Sequence, residues 1–311
     1  LRLSIAFNIF ILLIMGVLPS VAAASDSASV TNKIAIFYPD AKNPYRSIYQ
    51  EIISGSKSHS HLEFHEFLIK RDFDSNQIIE ELRKLGIKKV IVLGRLGFRL
   101  AKKLPEEFSV VSGALPISPN GVSGISLISD PANLFDYLKL VAPEVRRVHV
   151  AFSKRSEWLI NKAKTAASAR DLELVSIKVS ETAEAVKFYE NLFESDISSQ
   201  DAIWLPVDKI SSHDKVTLPF ILEKAWSKEV VVFSSKPSHA KRGALFSTYP
   251  DNFGLGKQLS SMVQELAEKP TEKKFAALTS LQLAVNLRTA AHLGFKYSSE
   301  QQQNFKMTFP E

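Results

Sequence analysis

The sequence contains no cysteine, which excludes disulfides, thiolate nucleophiles, cysteine-ligated metals and a lipid-modified N-terminal cysteine. It also lacks a GxxxxGK phosphate loop, an HExxH zinc helix and a GxSxG nucleophile elbow, so no enzyme, metal or cofactor is expected from motifs. Basic runs with interleaved aromatics are missing too. The formal net charge is +6, but the cations are dispersed in pairs such as Arg83-Lys84, Lys88-Lys89, Arg146-Arg147 and Lys241-Arg242. That pattern describes a solvated basic surface, and no nucleic-acid partner is expected.

Long apolar runs are confined to one place. Arg2 is followed by the apolar stretch Phe7 to Leu18, then by the small residues Ser20 to Ala24. This order of positive, apolar and small segments predicts a signal peptide over residues 1–24, cleaved after Ala24, and a soluble periplasmic chain. An uncleaved anchor is the alternative, although the run is short for a bilayer.

The whole chain has 311 residues with 45% hydrophobic content, enough for two lobes. Apolar runs read as strands at Lys33 to Tyr38, His61 to Ile69, Lys89 to Leu93 and Phe108 to Ser112. Helical stripes lie between them, one capped by Asp74. The alternation predicts a doubly wound parallel sheet. Pro119 to Asp130 reads as a crossing, after which Asp130-Pro131 opens a helix and alternation resumes. Strands follow at Val148 to Phe152, Glu173 to Val179, Ala202 to Leu205, Val230 to Phe233, Ala244 to Thr248 and Ser280 to Val285. Asp251 is expected to cap a long helix, Gly294 to end a last one, and the polar tail beyond Tyr297 to fray. The expected organisation is an α/β fold of two doubly wound lobes. The N-terminal lobe takes residues 31–126 plus 250–278 and the C-terminal lobe 127–249 plus 279–297.

The stretch Asp201 to Asp208, DAIWLPVD, organises the second lobe. Its apolar centre reads as a buried parallel strand, stopped by Pro206. In open α/β sheets ligands bind beyond the carboxyl ends of strands, and Asp208 stands at such an end. It can face a cleft, cap a helix near Ile210, or both. Tyr38, Tyr45 and Tyr249 are candidates on the same topological ground. Trp204 lies inside its strand and is expected in the core. His59, His61, Glu63 and His65 share one strand face, a pattern open to metal ligation but better read as the polar face of an edge strand.

LQLAVNLRTAAHLGF (Leu281 to Phe295) resembles the "NLKTAKALG" ending of ABC-transporter substrate-binding proteins of the tryptophan/tyrosine-binding-like family. VLGRLGFRLAKKL (Val92 to Leu104) is similar to that family's "GTPAALALA" turn, NGVSGIS (Asn120 to Ser126) to "GNVTGVS", and IWLPVD (Ile203 to Asp208) to "IYVPTD". GALFSTYPDNFGLGKQ (Gly243 to Gln258) is similar to "GALAALGVDYYELGRQ". The resemblance spans the chain beyond the leader, in order.

It implies a type I periplasmic-binding fold: two lobes, three crossings and a small solute, often an amino acid, closed between them. The implied partners are that small-molecule ligand and an ABC permease, or a membrane sensor instead, with the binding protein itself a monomer. Asp208 matches the aspartate of the "PTD" turn, a partner for an ammonium group. Ser234 and Ser235 match the next strand-end turn. Ser153 and Glu157 match the start and the glutamate of the "YNPSE" turn. Arg95, followed by Leu96, departs from the family's threonine. An arginine there can hold an anion bidentately, fill the cleft or point outward. If Arg95 and Asp208 hold the two ends of a zwitterion, Arg95→Ala and Asp208→Asn should each weaken binding while sparing the stability of the empty protein.

Overall fold

The computed structural model describes residues 32–58, 61–269 and 272–310. The expected signal peptide over 1–24 and His59 of the histidine-rich strand face lie outside the described residues.

The first sheet is built from β1 (Lys33–Pro39), β2 (Glu63–Ile69), β3 (Lys89–Leu93), β4 (Ser109–Leu115) and β5 (Gly124–Ser129), interleaved with α1 (Tyr45–Ser56), α2 (Ser75–Lys84) and α3 (Gly94–Ala101). The chain then continues as α4 (Pro131–Val141), β6 (Arg147–Phe152), a 3-10 turn (Lys154–Ser156), α5 (Glu157–Ser168), β7 (Glu173–Lys178), α6 (Thr182–Glu194) and β8 (Asp201–Leu205). Next come α7 (Thr217–Ser227), β9 (Val231–Ser234), α8 (Pro237–Arg242), β10 (Phe246–Pro250) and α9 (Asn252–Glu268). The C-terminal part holds β11 (Phe275–Leu278), β12 (Leu281–Asn286), α10 (Leu287–His292), α11 (Ser299–Gln303) and β13 (Phe305–Phe309).

Two sheets result. One has the order β11-β5-β4-β3-β1-β2 and is wholly parallel; the other has the order β13-β12-β10-β9-β8-β6-β7. In the second, β12 runs antiparallel to β10, with Phe246 opposite Val285. Every residue of β3 and of β8 is buried, because helices cover both faces and period-2 alternation gives way to a continuous apolar run. Along β1 the faces still separate. Ile34 and Ile36 meet α1 and α9, while Ala35 and Phe37 meet α2 and α3. Trp204 is fully buried, edge-on to Phe135 of α4 at 5.7 Å.

The helix starts follow local chemistry. Asp74, Asp130 and Asp251 each accept a backbone N–H of the first turn, from Asn76, Ala132 and Gly254. The chain passes between the sheets three times: from β5 to α4, from β10 to α9 and from β11 to β12. At these crossings the buried hydroxyls of Ser129 and Thr248 bond at 2.9 Å.

Three expectations are corrected. Pro119 to Asp130 is not a plain crossing, since Gly124–Ser129 pairs with β4 and β11. The linker after Pro270 leads first into β11, which belongs to the first sheet. The polar tail does not fray: Ser298 makes a capping box with Gln301, and β13 joins β12 as the outer strand. Phe305, Met307 and Phe309 alternate with Lys306 and Thr308 along it, and backbone hydrogen bonds to the β12 edge order the strand.

α1 and α9 cross at glycine. A methyl group on Gly256 would overlap the carbonyl oxygen of Ile52, and the Ser56 hydroxyl donates to Gly256 O at 3.1 Å. Gly256→Ala is therefore expected to cost about 2 kcal/mol through forced separation of the helices. Urea unfolding of the empty protein would register it, and an unchanged midpoint would show that the helices slide apart freely.

Candidate functional site

The crevice to consider lies where the carboxyl ends of the two sheets' strands face the other lobe. From the first lobe it receives the second half of α3 and the loop after β4. From the second it receives the 3-10 turn and α5, which follow β6. Gly94 has φ +68° and lets α3 begin directly at the end of β3. The Ser118 hydroxyl donates to Arg155 O at 2.8 Å, and Trp158 of α5 packs edge-on to Phe275 of β11 at 5.5 Å. The lobes thus touch along this flank.

A cavity of about 630 Å³ opens between them. Phe98 of α3, Lys102 just past its end and Ile117 to Asn120 line it from the first lobe. Lys154, Arg155, Glu157, Trp158 and Asn161 line it from the second. The Lys102 ammonium sits 4.7 Å from the Phe98 ring centroid. Glu157 pairs with Lys178 at 2.9 Å. Lys154 and Arg155 are exposed, and among the described residues neither side chain has an ion pair. The volume falls within the range of small-molecule sites.

Of the ten residues predicted from sequence, Glu157 lines this cavity. Arg95 is exposed one helical turn before Phe98, and Leu96 packs against the α2-side core. Tyr38 lines a separate recess of about 220 Å³ beside Tyr49, with its hydroxyl 3.5 Å from Glu66, and Tyr45 is 63% exposed at the start of α1. Tyr249 is half-buried against Ala240, Ala284 and Phe309. Ser235 is half-buried just past β9.

Ser153 and Asp208 meet, but through structure. Asp208 is buried. Its Oδ2 accepts Ser153 N–H at 2.8 Å and the Ser156 hydroxyl at 2.7 Å, and its Oδ1 accepts the N–H groups of Ile210 and Ser211 at 2.9 and 3.2 Å. Burial alone would raise its pKa. The hydrogen bonds from Ser153, Ser156 and Ile210 outweigh that, and the carboxyl is held below its usual range. Every favourable lone-pair direction is occupied by this chain's own donors.

Ser234, His239 and Asp214 form a linked row. Ser234 Oγ lies 2.8 Å from His239 Nδ1 and 3.0 Å from Leu205 O, and His239 Nε2 lies 2.8 Å from Asp214, which also binds Lys236. The residue types match a nucleophile relay, but Ser234 and His239 are fully buried, so a substrate has no approach to the hydroxyl. The row ties β8, β9 and α8 together.

On β2, an edge strand, His65 pairs with Glu63 at 2.8 Å. Among the described residues no group of three or more potential metal ligands converges.

Sequence reasoning missed Phe98, Lys102, Lys154, Arg155 and Trp158. The strand-end rule marks the first residue after a strand, whereas these cavity walls come from the following turn and helix. The resemblance of Ser153 to Glu157 to a strand-end turn was the available signal.

Comparison with known proteins follows the same lines. The family model described as "ABC transporter substrate binding protein" matches residues 113–304. Among curated proteins the sequence has no significant match. The ABC domain in complex with L-Trp from Streptococcus pneumonia is 16% identical, covering 89% of this chain and 99% of that one, with a TM-score of 0.50. The ligand-free, open structure of a substrate binding protein with adhesive properties from Clostridium difficile is 15% identical over 89% and 98%, with a TM-score of 0.57. At such identities the neighbours speak for the fold alone, two α/β lobes of the type I periplasmic-binding kind. Taken with the match over most of its length, the chain belongs to the ABC transporter substrate binding protein family.

Proposed function

We propose that this protein is the solute-binding component of an ABC-type importer, exported to the periplasm by residues 1–24, and that it closes its two lobes around a small solute handed to a membrane permease. The observation that carries the reading is the cavity between the lobes, lined from both, in a chain that crosses between them three times. A ligand touching both walls favours the closed arrangement, because only there are both sets of contacts made. The lobes would be residues 31–126 plus 250–278 and residues 127–249 plus 279–297, with the C-terminal strand completing the second.

The neighbour from Streptococcus pneumonia is described in complex with L-Trp, so aromatic amino acids belong in a first solute panel beside sugars, nucleosides and organic anions. A true ligand raises the melting temperature by binding the native state alone. Small-angle scattering with that ligand is expected to report a smaller radius of gyration. Saturation without compaction would count against lobe closure, and a panel with no stabilising solute would count against solute binding itself.

A further inference from the structure

We propose that the interlobe cavity takes an organic anion with a flat apolar body and no ammonium group. The proposal rests on the solute-binding reading above and names the class of solute.

The cavity's charges carry it. Lys102 enters from the first lobe, and Lys154 and Arg155 enter from the second. The single acid on the wall, Glu157, is already neutralised by Lys178. A solute held between three cations and one paired carboxylate feels a positive field, sharpened by the low-dielectric lobes around it. A carboxylate or similar group gains charge-assisted hydrogen bonds there, bidentate ones from the Arg155 guanidinium. An ammonium group is repelled.

A zwitterion would need a compensating acceptor, and Asp208, tied to the turn that carries Lys154 and Arg155, is committed elsewhere. Asp208 receives four donors. Freeing an oxygen of Asp208 would strand its donors and lose the turn that it holds. The rest of the wall suits an apolar body: Phe98 and Trp158 offer ring faces and edges. The Trp158 indole N–H is buried without a partner among the described residues.

The test uses matched skeletons with the full exported chain. Indole-3-propionate is compared with L-tryptophan and 3-phenylpropionate with L-phenylalanine, by thermal shift and titration calorimetry. The deaminated acid is expected to bind at least about tenfold more tightly than its amino acid. Arg155→Gln and Lys154→Gln should each weaken that binding about tenfold or more, while the melting temperature of the empty protein stays the same, because neither side chain has an ion pair to lose.

Equal or tighter binding of the amino acids would overturn the anion proposal, as would binding that both variants retain. A sugar or nucleoside that stabilises the protein while every acid fails would overturn it too, yet leave the solute-binding function standing. If no solute of any class binds, both fall together.

Discussion

Asp201→Asn is expected to destabilise the protein by about 3–5 kcal/mol at neutral pH, the cost of breaking a buried ion pair from one side. Asp201 opens β8 and is fully buried. Its carboxylate accepts Arg147 Nε and Nη2 at 2.7 and 3.0 Å, His149 Nε2 at 2.8 Å, and the N–H and hydroxyl of Ser198, both at 2.9 Å. Asparagine removes the charge and turns one acceptor into a donor facing donors. Arg147 is half-exposed and water can recover part of its loss, but His149 is buried beside it.

The pH dependence distinguishes this account from a packing defect. Burial by itself would raise the pKa of Asp201, but the hydrogen bonds from Arg147, His149 and Ser198 prevail and hold it well below the usual range. A folded pKa below the unfolded one means the stabilisation is complete above the unfolded value, near pH 4, and fades as pH falls through the folded one. Wild type and variant should therefore converge as pH drops from about 5 toward about 2. Denaturant unfolding at several pH values would measure it, and a gap that stays constant would rule out the charge as the cause.

Asp208→Asn is expected to lower the stability of the empty protein by about 2–4 kcal/mol. The expectation drawn from sequence, that this substitution spares the empty protein, does not survive the four hydrogen bonds made by the carboxylate. In whichever orientation the new amide sits, its NH₂ group faces two donors, either Ser153 and Ser156 or Ile210 and Ser211. The turn after β8 and the turn after β6 would lose their link. Because that second turn presents Lys154 and Arg155 to the cavity, ligand affinity should fall as well. Calorimetric melting without ligand is the deciding measurement, and an unchanged transition would mean that the carboxylate is free to serve a solute after all. The carboxyl is held below its usual range, so this contribution too is lost on acidification.

Much of the architecture was legible along the chain. β3 and β8 declare themselves as continuous apolar runs because burial on both faces erases alternation. The starts of α2, α4 and α9 are written in Asp74, Asp130-Pro131 and Asp251, since a side chain two or three residues away satisfies the first free N–H groups. β5 and β11 were not legible. Each lies beside a crossing, β11 spans four residues, and its pairing with β5 joins segments far apart in sequence. β13 was hidden for a related reason: the edge that it completes belongs to β12, and of its five residues Phe309 alone is buried.

Local interactions, short in sequence and strong in pattern, let the sequence by itself determine the strand and helix alternation, the two-lobed plan and the position of Asp208 at a strand end. Tertiary structure alone decided what that position does. The donors Ser153 and Ser156 lie 55 and 52 residues away from Asp208, and only the parallel packing of β6 beside β8 brings them to its carboxylate. The same holds for the cavity. Lys102 and Arg155 belong to different lobes, and they line one cavity only because the lobes meet there. A charge's neighbours are set by distance in space, which sequence spacing does not encode beyond a turn or two of chain.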